Sequence, residues 1–412
     1  MSECDKNSSS LISVDEARNN ILDLIQPVTQ HENVALKQSL GRVLAVKVKS
    51  SIDIPCFDNS AMDGYAVDSK SLSSGTQTLK RIGTAWAGKL WEGTCNAGEC
   101  VRIMTGAALP EGCDAVIMQE QVSAENDTIK FDVPVKAGQN VRWQAEEIKT
   151  GDVVISPGKH LMPVDTALLA SVGANETMVY RKPRVAFFST GDELRPVGSP
   201  LAKGQIYDSN RYLINSMLTR LGVDVLDMGV IADDPDKITQ AFEHASEVAD
   251  MIITSGGVSV GDADHVQDIL NNKGEVNFWR VAMKPGKPLA VGKFNDAYFF
   301  GLPGNPVSAL VTFYQFAMPA LKKLMGCENL YTPVIKARCV DPLRKSAGRQ
   351  EFQRGILSLD ENGESVVSTT GLQGSHLLTS VSHANCFIIL PRDNAGTEAG
   401  DILEVQPFYG MI

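Results

Sequence analysis

The sequence predicts a multidomain α/β plus β chain: a doubly wound α/β domain, a small β module inserted ahead of it, and a second β module behind it. Three observations carry this expectation. From about Arg181 to Met325, apolar β-prone runs alternate with helical patterns, as strands do when helices cover both faces of a parallel sheet. Three of those runs end in glycine-rich loops. On either side, short β-prone segments alternate with Gly, Asn and Pro and show no long helical period. At 412 residues the chain also exceeds one ordinary core, so two to four domains are expected.

Taken in order, residues 1–10 are polar and read as loose. Ser13-Val14-Asp15-Glu16 reads as a capping box. The stripe Ala17, Ile21, Leu24, Ile25 and Val28 follows helical spacing, and Pro27 marks its end. A second helix is expected around Val34 to Leu44, before the extended run Ala45–Val48. Between Ser51 and Trp143, strands are expected at Leu79–Ile82, Cys100–Met104, Ala115–Met118 and Thr128–Phe131, forming a compact all-β module or small barrel. Asp152–Ile155 and a helix over Pro163–Val172 resume a mixed texture. The α/β region predicts strands at Arg184–Ser189, Val223–Ile231, Met251–Thr254, Val276–Met283, Pro288–Val291 and Ala297–Leu302. Its helices are Asn210–Leu221, Lys237–Val248, His265–Asn272 and a long one after Asn305-Pro306. Beyond Tyr331, strands are expected near Val334–Cys339, Ser365–Thr370, Cys386–Leu390 and Ile402–Gln406.

Composition narrows the function. The chain is 43% apolar and 21% charged with a net charge of -11, which argues against a nucleic-acid-binding role needing a basic footprint. No apolar stretch approaches the ~20 residues of a membrane span. Met1–Lys6 lacks the basic and apolar regions of a signal peptide. Eight scattered cysteines form no C-x-x-C pair, consistent with reduced thiols in a cytoplasmic protein.

The glycine loops are Ser189-Thr190-Gly191-Asp192-Glu193, Ser255-Gly256-Gly257-Val258-Ser259-Val260-Gly261-Asp262-Ala263-Asp264, and Gly301-Leu302-Pro303-Gly304-Asn305-Pro306. Loops at the carboxyl ends of parallel strands line one crevice, where glycine admits close approach of a ligand and helix starts favour anions. A phosphate-bearing ligand with a divalent cation is therefore expected. Glu193, Asp233 and Asp264 each follow a strand and can converge on magnesium, which takes a few carboxylates plus phosphate oxygens. Asp233 or Asp234 before Pro235, and Asp208, can equally cap helices. Lys284 and Lys287 flank a Pro-Gly turn and suit an oxyanion; a solvated hairpin is the alternative. Arg349, Arg354 and Ser375-His376 are weaker candidates. On spacing alone Asp63 reads as a turn residue. No P-loop or dinucleotide fingerprint occurs.

These residues carry a resemblance. Phe57–Ala66, Arg102-Ile103-Met104-Thr105-Gly106, Ser189–Leu194, Ser255–Asp262, Lys284–Pro288 and Gly301–Ser308, in this order, make the chain similar to the molybdopterin molybdenumtransferases of the MoeA kind and to the C-terminal domain of gephyrin. The resemblance runs from about Val14 to Phe408. It implies a discontinuous first domain (1–52 and 143–180), an inserted β domain (53–142), an α/β molybdopterin-binding domain (181–328) and a C-terminal β barrel (329–412). It implies an elongated homodimer with shared active sites. The implied reaction is insertion of molybdate into adenylated molybdopterin, with release of AMP and a divalent metal, usually magnesium.

The family's functional positions fall on Asp63, Thr105, Glu193, Asp233, Asp264, Lys284 and Ser375. Glu147 stands where the family's Arg-x-x-Gly-Glu-Asp run has aspartate, and Ala145 where it has glycine. Arg280 and His265 replace a frequent lysine and an aromatic residue. Substrate contacts are expected from Ser189, Thr190, Gly191, Ser255, Gly256, Gly257, Ser259, Gly261, Lys287, Pro303, Gly304, Asn305, Pro306 and Ser375, and metal contacts from Glu193, Asp233 and Asp264. A molybdopterin adenylyltransferase and downstream molybdoenzyme maturation proteins are the expected partners. Adenylyl transfer to molybdopterin, or a non-catalytic cofactor carrier, are the alternatives.

Overall fold

Six of the seven residues in the strand Arg184–Thr190 are buried, because the strand has helices on both faces. In this computed structural model, residues 11–72, 77–256 and 265–412 are described. Val185 and Phe187 pack with Ile214, Met217 and Leu218 of the helix Ser209–Leu221. Ala186 and Phe188 pack the other way, on Ile238 and Phe242 of the helix Pro235–Val248. Phe242 meets the Phe188 ring edge-on at 5.2 Å between centroids, and burying each such ring contributes roughly 1.5–3 kcal/mol.

This strand lies inside a six-stranded sheet in the order Asp224–Ile231, Arg184–Thr190, Met251–Ser255, Ala297–Leu302, Pro288–Phe294, Gly274–Arg280. The first four run parallel, and Pro288–Phe294 pairs antiparallel with both of its neighbours. Asp208 caps one helix by accepting from the Arg211 amide, and Asp234 caps the next, with Pro235 in its first turn. The capping expectation thus holds for both. The long helix after Asn305 runs over 306–324, with a π-helical segment at Phe313–Ala317.

The inserted module is a six-stranded sheet in the order Ala115–Met118, Gly64–Val67, Glu99–Ile103, Gln77–Ala85, Thr128–Phe131, Val122–Glu125. Its two edge strands are joined by the short 3-10 turn Gln119–Gln121, yet no ladder closes them among the described residues. It is a curled open sheet rather than a small barrel. The C-terminal module does close. Gln350–Leu359, Ser365–Thr369, Ile335–Cys339, Ile402–Pro407 and Cys386–Leu390 pair in turn, and the last pairs back with the first.

Three expectations fail locally. The helix expected around Val34 to Leu44 is a strand, His31–Ala35, followed by a short 3-10 turn. Antiparallel pairing with Glu176–Tyr180 overrides the helical spacing, and only Val34 of the strand is buried. The strand expected over Val276–Met283 stops at Arg280, where Ile12 bonds to the Arg280 carbonyl and bridges Val281. Met283–Lys284 then pairs with Gln350 and Glu351 of the barrel. The Asn305-Pro306 pair does start a helix, as Asn-Pro signals, but the Asn305 side chain makes no capping bond. Cys56, Cys95, Cys100, Cys113, Cys327, Cys339 and Cys386 are free thiols. No helix among the described residues is long and apolar enough to cross a membrane.

Candidate active site

The strands Arg184–Thr190, Met251–Ser255 and Ala297–Leu302 are parallel neighbours, so the loops that follow them lie side by side. From the first, the chain crosses to the edge strand Asp224–Ile231 and then returns to Met251–Ser255 on the opposite side. Such a reversal opens a crevice at the carboxyl edge. Gly256 is fitted to it. Its φ is +92°, and a Cβ there would stand 2.9 Å from the Thr190 carbonyl oxygen. Its N–H donates to the Leu302 carbonyl at 3.2 Å. Asn210 binds the loops to the helix start, its Nδ2 donating to Ser255 Oγ and to the Gly304 carbonyl, each at 2.7 Å.

Two cavities occupy this edge and share Gly256 and Gly304. The smaller, about 90 Å³, is lined by Thr190, Glu193, Asp208, Asn210, Ser255 and Pro306, among others. Asp208 Oδ2 and Asn210 Oδ1 are buried there without hydrogen-bond partners among the described residues. The larger, about 500 Å³, extends towards the barrel. Its walls include Lys284, Lys287, Pro303, Asn305, Ser308, Arg349 and Ser375. Lys284 Nζ lies 3.1 Å from Glu351 Oε1 of the barrel. The Val307 N–H at the helix start donates to the Ser375 carbonyl at 3.1 Å, so that amide, expected to face a ligand, instead anchors the Ser375 loop.

The crevice thus gathers Glu193, Thr190, Ser255, Gly256, Gly304, Pro306, Lys284, Lys287, Pro303, Asn305 and Ser375. Ser189 is fully buried in its strand and lines neither cavity. Gly191 has φ +143°, with a notional Cβ 2.5 Å from Glu193 Oε2, so it packs under that carboxylate. Asp233 is exposed one strand further out, its N–H donating to Asp192 Oδ1 at 3.3 Å. Gly257, Ser259, Gly261 and Asp264 lie outside the described residues. Arg354 is no surface cation. It is buried, donates to Ser380 Oγ and the Gly374 carbonyl, and burial holds its guanidinium down to about 10.

Asp63 and Thr105 come together in the inserted sheet. Asp63 Oδ1 accepts from the Thr105 amide at 2.7 Å and from its Oγ1 at 2.8 Å. The amide first, then the hydroxyl, hold the Asp63 carboxyl below the usual carboxylate range. Neither residue lines the two cavities. Glu147 is exposed on a loop whose amides donate to the Ile54 and Pro55 carbonyls. Ala145 in that loop has φ +61°. Asp208, Asn210, Ser308 and Gln373 are cavity residues that the glycine motifs did not single out as ligand contacts. For Asp208 the helix-cap signal was correct but described only one of its two oxygens.

Comparison with known proteins matches three successive regions of the chain. Residues 186–323 match the model of a probable molybdopterin binding domain, so the crevice belongs to a protein class built around that α/β domain. Residues 12–173 match the MoeA N-terminal region (domain I and II), and 336–408 the MoeA C-terminal region (domain IV). The chain is 45% identical over 404 residues to a molybdopterin molybdenumtransferase of Haemophilus influenzae, covering 98% of this chain and all of the relative. It is 35% identical to one from Nostoc, covering 96% and 93%. A molybdopterin biosynthesis moeA protein from Pyrococcus horikoshii superposes with a TM-score of 0.84 at 29% identity, covering 96% of this chain and 100% of that one. The chain belongs to the MoeA family.

Proposed function

We infer that this chain is a molybdopterin molybdenumtransferase, combining adenylated molybdopterin with molybdate and releasing AMP. The observation that carries this reading is the large cavity, where Lys284, Lys287 and Arg349 meet Ser375 and the glycine loops. Three cations beside a hydroxyl and approachable backbone suit a tetrahedral oxyanion next to a phosphate-bearing pterin. Kinship at 45% identity supports the same reading.

The residues' tasks follow from their positions. Gly256 and Gly304 leave room for phosphate against backbone, and Asn210 fixes both loops. Lys284 and Lys287 hold oxyanion charge at the barrel side. Asp208 Oδ2 and Asn210 Oδ1 offer acceptors to ligand N–H groups. The donors around Glu193 are oxygens, the ligand type magnesium takes, though no three metal-binding side chains gather among the described residues. Glu193 and Asp233 would hold that ion, with Asp264 as the third expected ligand. When bound, it would offset charge on the phosphoanhydride and the departing AMP. The chain's own contribution is placement and fixed charge. No side-chain nucleophile is needed.

We further propose a homodimer with shared sites. Asp63 is half-buried and locked to Thr105, yet lines neither of the two crevice cavities of its own chain. Exposed Phe57, Met62 and Trp143 flank that part of the chain, and suit contact with a second copy. Magnesium use and supply of substrate by a separate adenylyl-transfer enzyme complete the proposal.

The test is a single-turnover assay with adenylated molybdopterin. Molybdate should trigger AMP release without ATP. Consumption of ATP would point to adenylyl transfer instead, and retention of pterin without AMP release to a carrier.

A further inference from the structure

Beside the crevice, the barrel and the α/β domain are joined by a short strand pairing. The strand Met283–Lys284 leaves the α/β sheet and runs parallel to the barrel strand, with Lys284 opposite Glu351. The Gln350 amide donates to the Ala282 carbonyl at 2.8 Å, so the two segments are in register before the side chains meet. Glu351 is 4% exposed. One of its oxygens meets Lys284 Nζ at 3.1 Å, and the other accepts from Gln353 Nε2 at 2.9 Å. Gln353 is fixed in turn by the Arg344 carbonyl. Nearby Lys345 is committed elsewhere, its ammonium donating to the carbonyls of Ser346, Arg392 and Asn394. Among the described residues, Lys284 is thus the direct cationic partner of a buried carboxylate.

We propose that Glu351 is a positioning residue for Lys284, setting where the cavity's lysine presents its charge. This rests on the reading of the cavity as an oxyanion site. A lysine stem is flexible, and its ammonium has three donors. Glu351 takes one and leaves the others for the cavity. It also tempers the positive charge, so an oxyanion is oriented rather than simply trapped. The buried carboxylate cannot follow a displaced lysine, because Gln353 holds its other oxygen. Glu351 therefore acts on the oxyanion only through Lys284.

The experiment is a double-mutant cycle with E351Q, K284A, the double variant and the parent, and E351D as the conservative rescue. The readouts are molybdate-triggered AMP release and equilibrium dialysis with molybdate alone. Expected for E351Q is a fall in kcat of about tenfold, with molybdate bound about threefold tighter than by the parent. In the K284A background the same substitution should change neither quantity by more than about twofold. E351D should recover most of the lost kcat. An equal loss from E351Q with and without Lys284 would overturn the proposal, since Glu351 would then act through the barrel's stability. So would unchanged kcat and affinity in E351Q. If the parent releases no AMP, the functional reading fails, and the dialysis cycle alone still decides whether Glu351 acts through Lys284.

Discussion

Replacing Ala145 by glycine should stabilise this protein, and the size of the gain follows from one dihedral angle. Ala145 sits at φ +61°, where an L-residue's Cβ crowds the backbone at a cost of about 1–2 kcal/mol. Glycine removes that cost but adds unfolded-state freedom worth about 0.4–1 kcal/mol. The difference is a gain of about 0.5–1 kcal/mol. The loop's bonds survive the change, because none uses the Ala145 side chain. Its amide still donates to the Pro55 carbonyl at 3.0 Å, Trp143 N–H to Glu146 Oε2 at 2.9 Å, and Gln144 N–H to Asp58 Oδ1 at 2.7 Å. In a thermal melt the transition containing this loop should rise by about 1–3 °C. Ala145→Val, with a β-branched residue in the same conformation, should lower it by at least as much. A melt in which the three variants do not fall in the order Gly, Ala, Val would refute the argument from backbone strain.

Three further outcomes are expected. Gly256→Ala should lower AMP release about tenfold or more, since its Cβ would force the loop off Thr190 at φ +92°; activity equal to the parent would show that the loop need not hold this shape. Asp250 is held below the usual carboxylate range: burial works to raise it, but the Arg181 guanidinium at 2.8 Å and the Arg184 amide at 2.7 Å outweigh burial. Its stabilising contribution is present above the unfolded pKa near ~4 and is lost as pH falls through the lower folded value, so Asp250→Asn should flatten the acid limb of urea-unfolding free energies measured from pH 6 to 3. For the dimer, co-expressing Asp63→Ala with Lys284→Ala should restore about a quarter of parental activity through mixed pairs, each homodimer alone keeping only a small measurable residue of it; mixtures with demonstrated exchange that stay at that residue would confine the site to one subunit.

Runs buried on both faces were legible because nothing polar interrupts them. Arg184–Thr190, Met251–Ser255 and Ala297–Leu302 are of this kind, and with them came the crevice and its glycine loops. The ten-residue strand Gln350–Leu359 was missed for the opposite reason. It buries Glu351, Gln353 and Arg354, which are satisfied by Lys284, by the Arg344 carbonyl and by Ser380, so a buried barrel strand reads as a polar stretch. Glu351 was invisible with it. The Asp63–Thr105 pair joins residues 42 apart by strand packing, and spacing alone shows only a turn. Family resemblance pointed to both residues, while their hydrogen bonds emerge only from the fold.

The inserted sheet enters and leaves the chain at one place. Asn59–Ser60 pairs with Val141–Arg142, and Ile54 bridges Ile148 just below. Some eighty residues therefore hang from a two-stranded stalk whose ends stand only about 5 Å apart. A gap that small can be closed by a tight turn, so the segment is topologically removable. The first domain would keep its own pairings, His31–Ala35 with Glu176–Tyr180 and Val48–Lys49 with Val153–Ile155, whatever the stalk carries. The length and sequence of the cargo are thus free to drift without unpicking the host, which makes this the natural place for the architecture to acquire or shed a module.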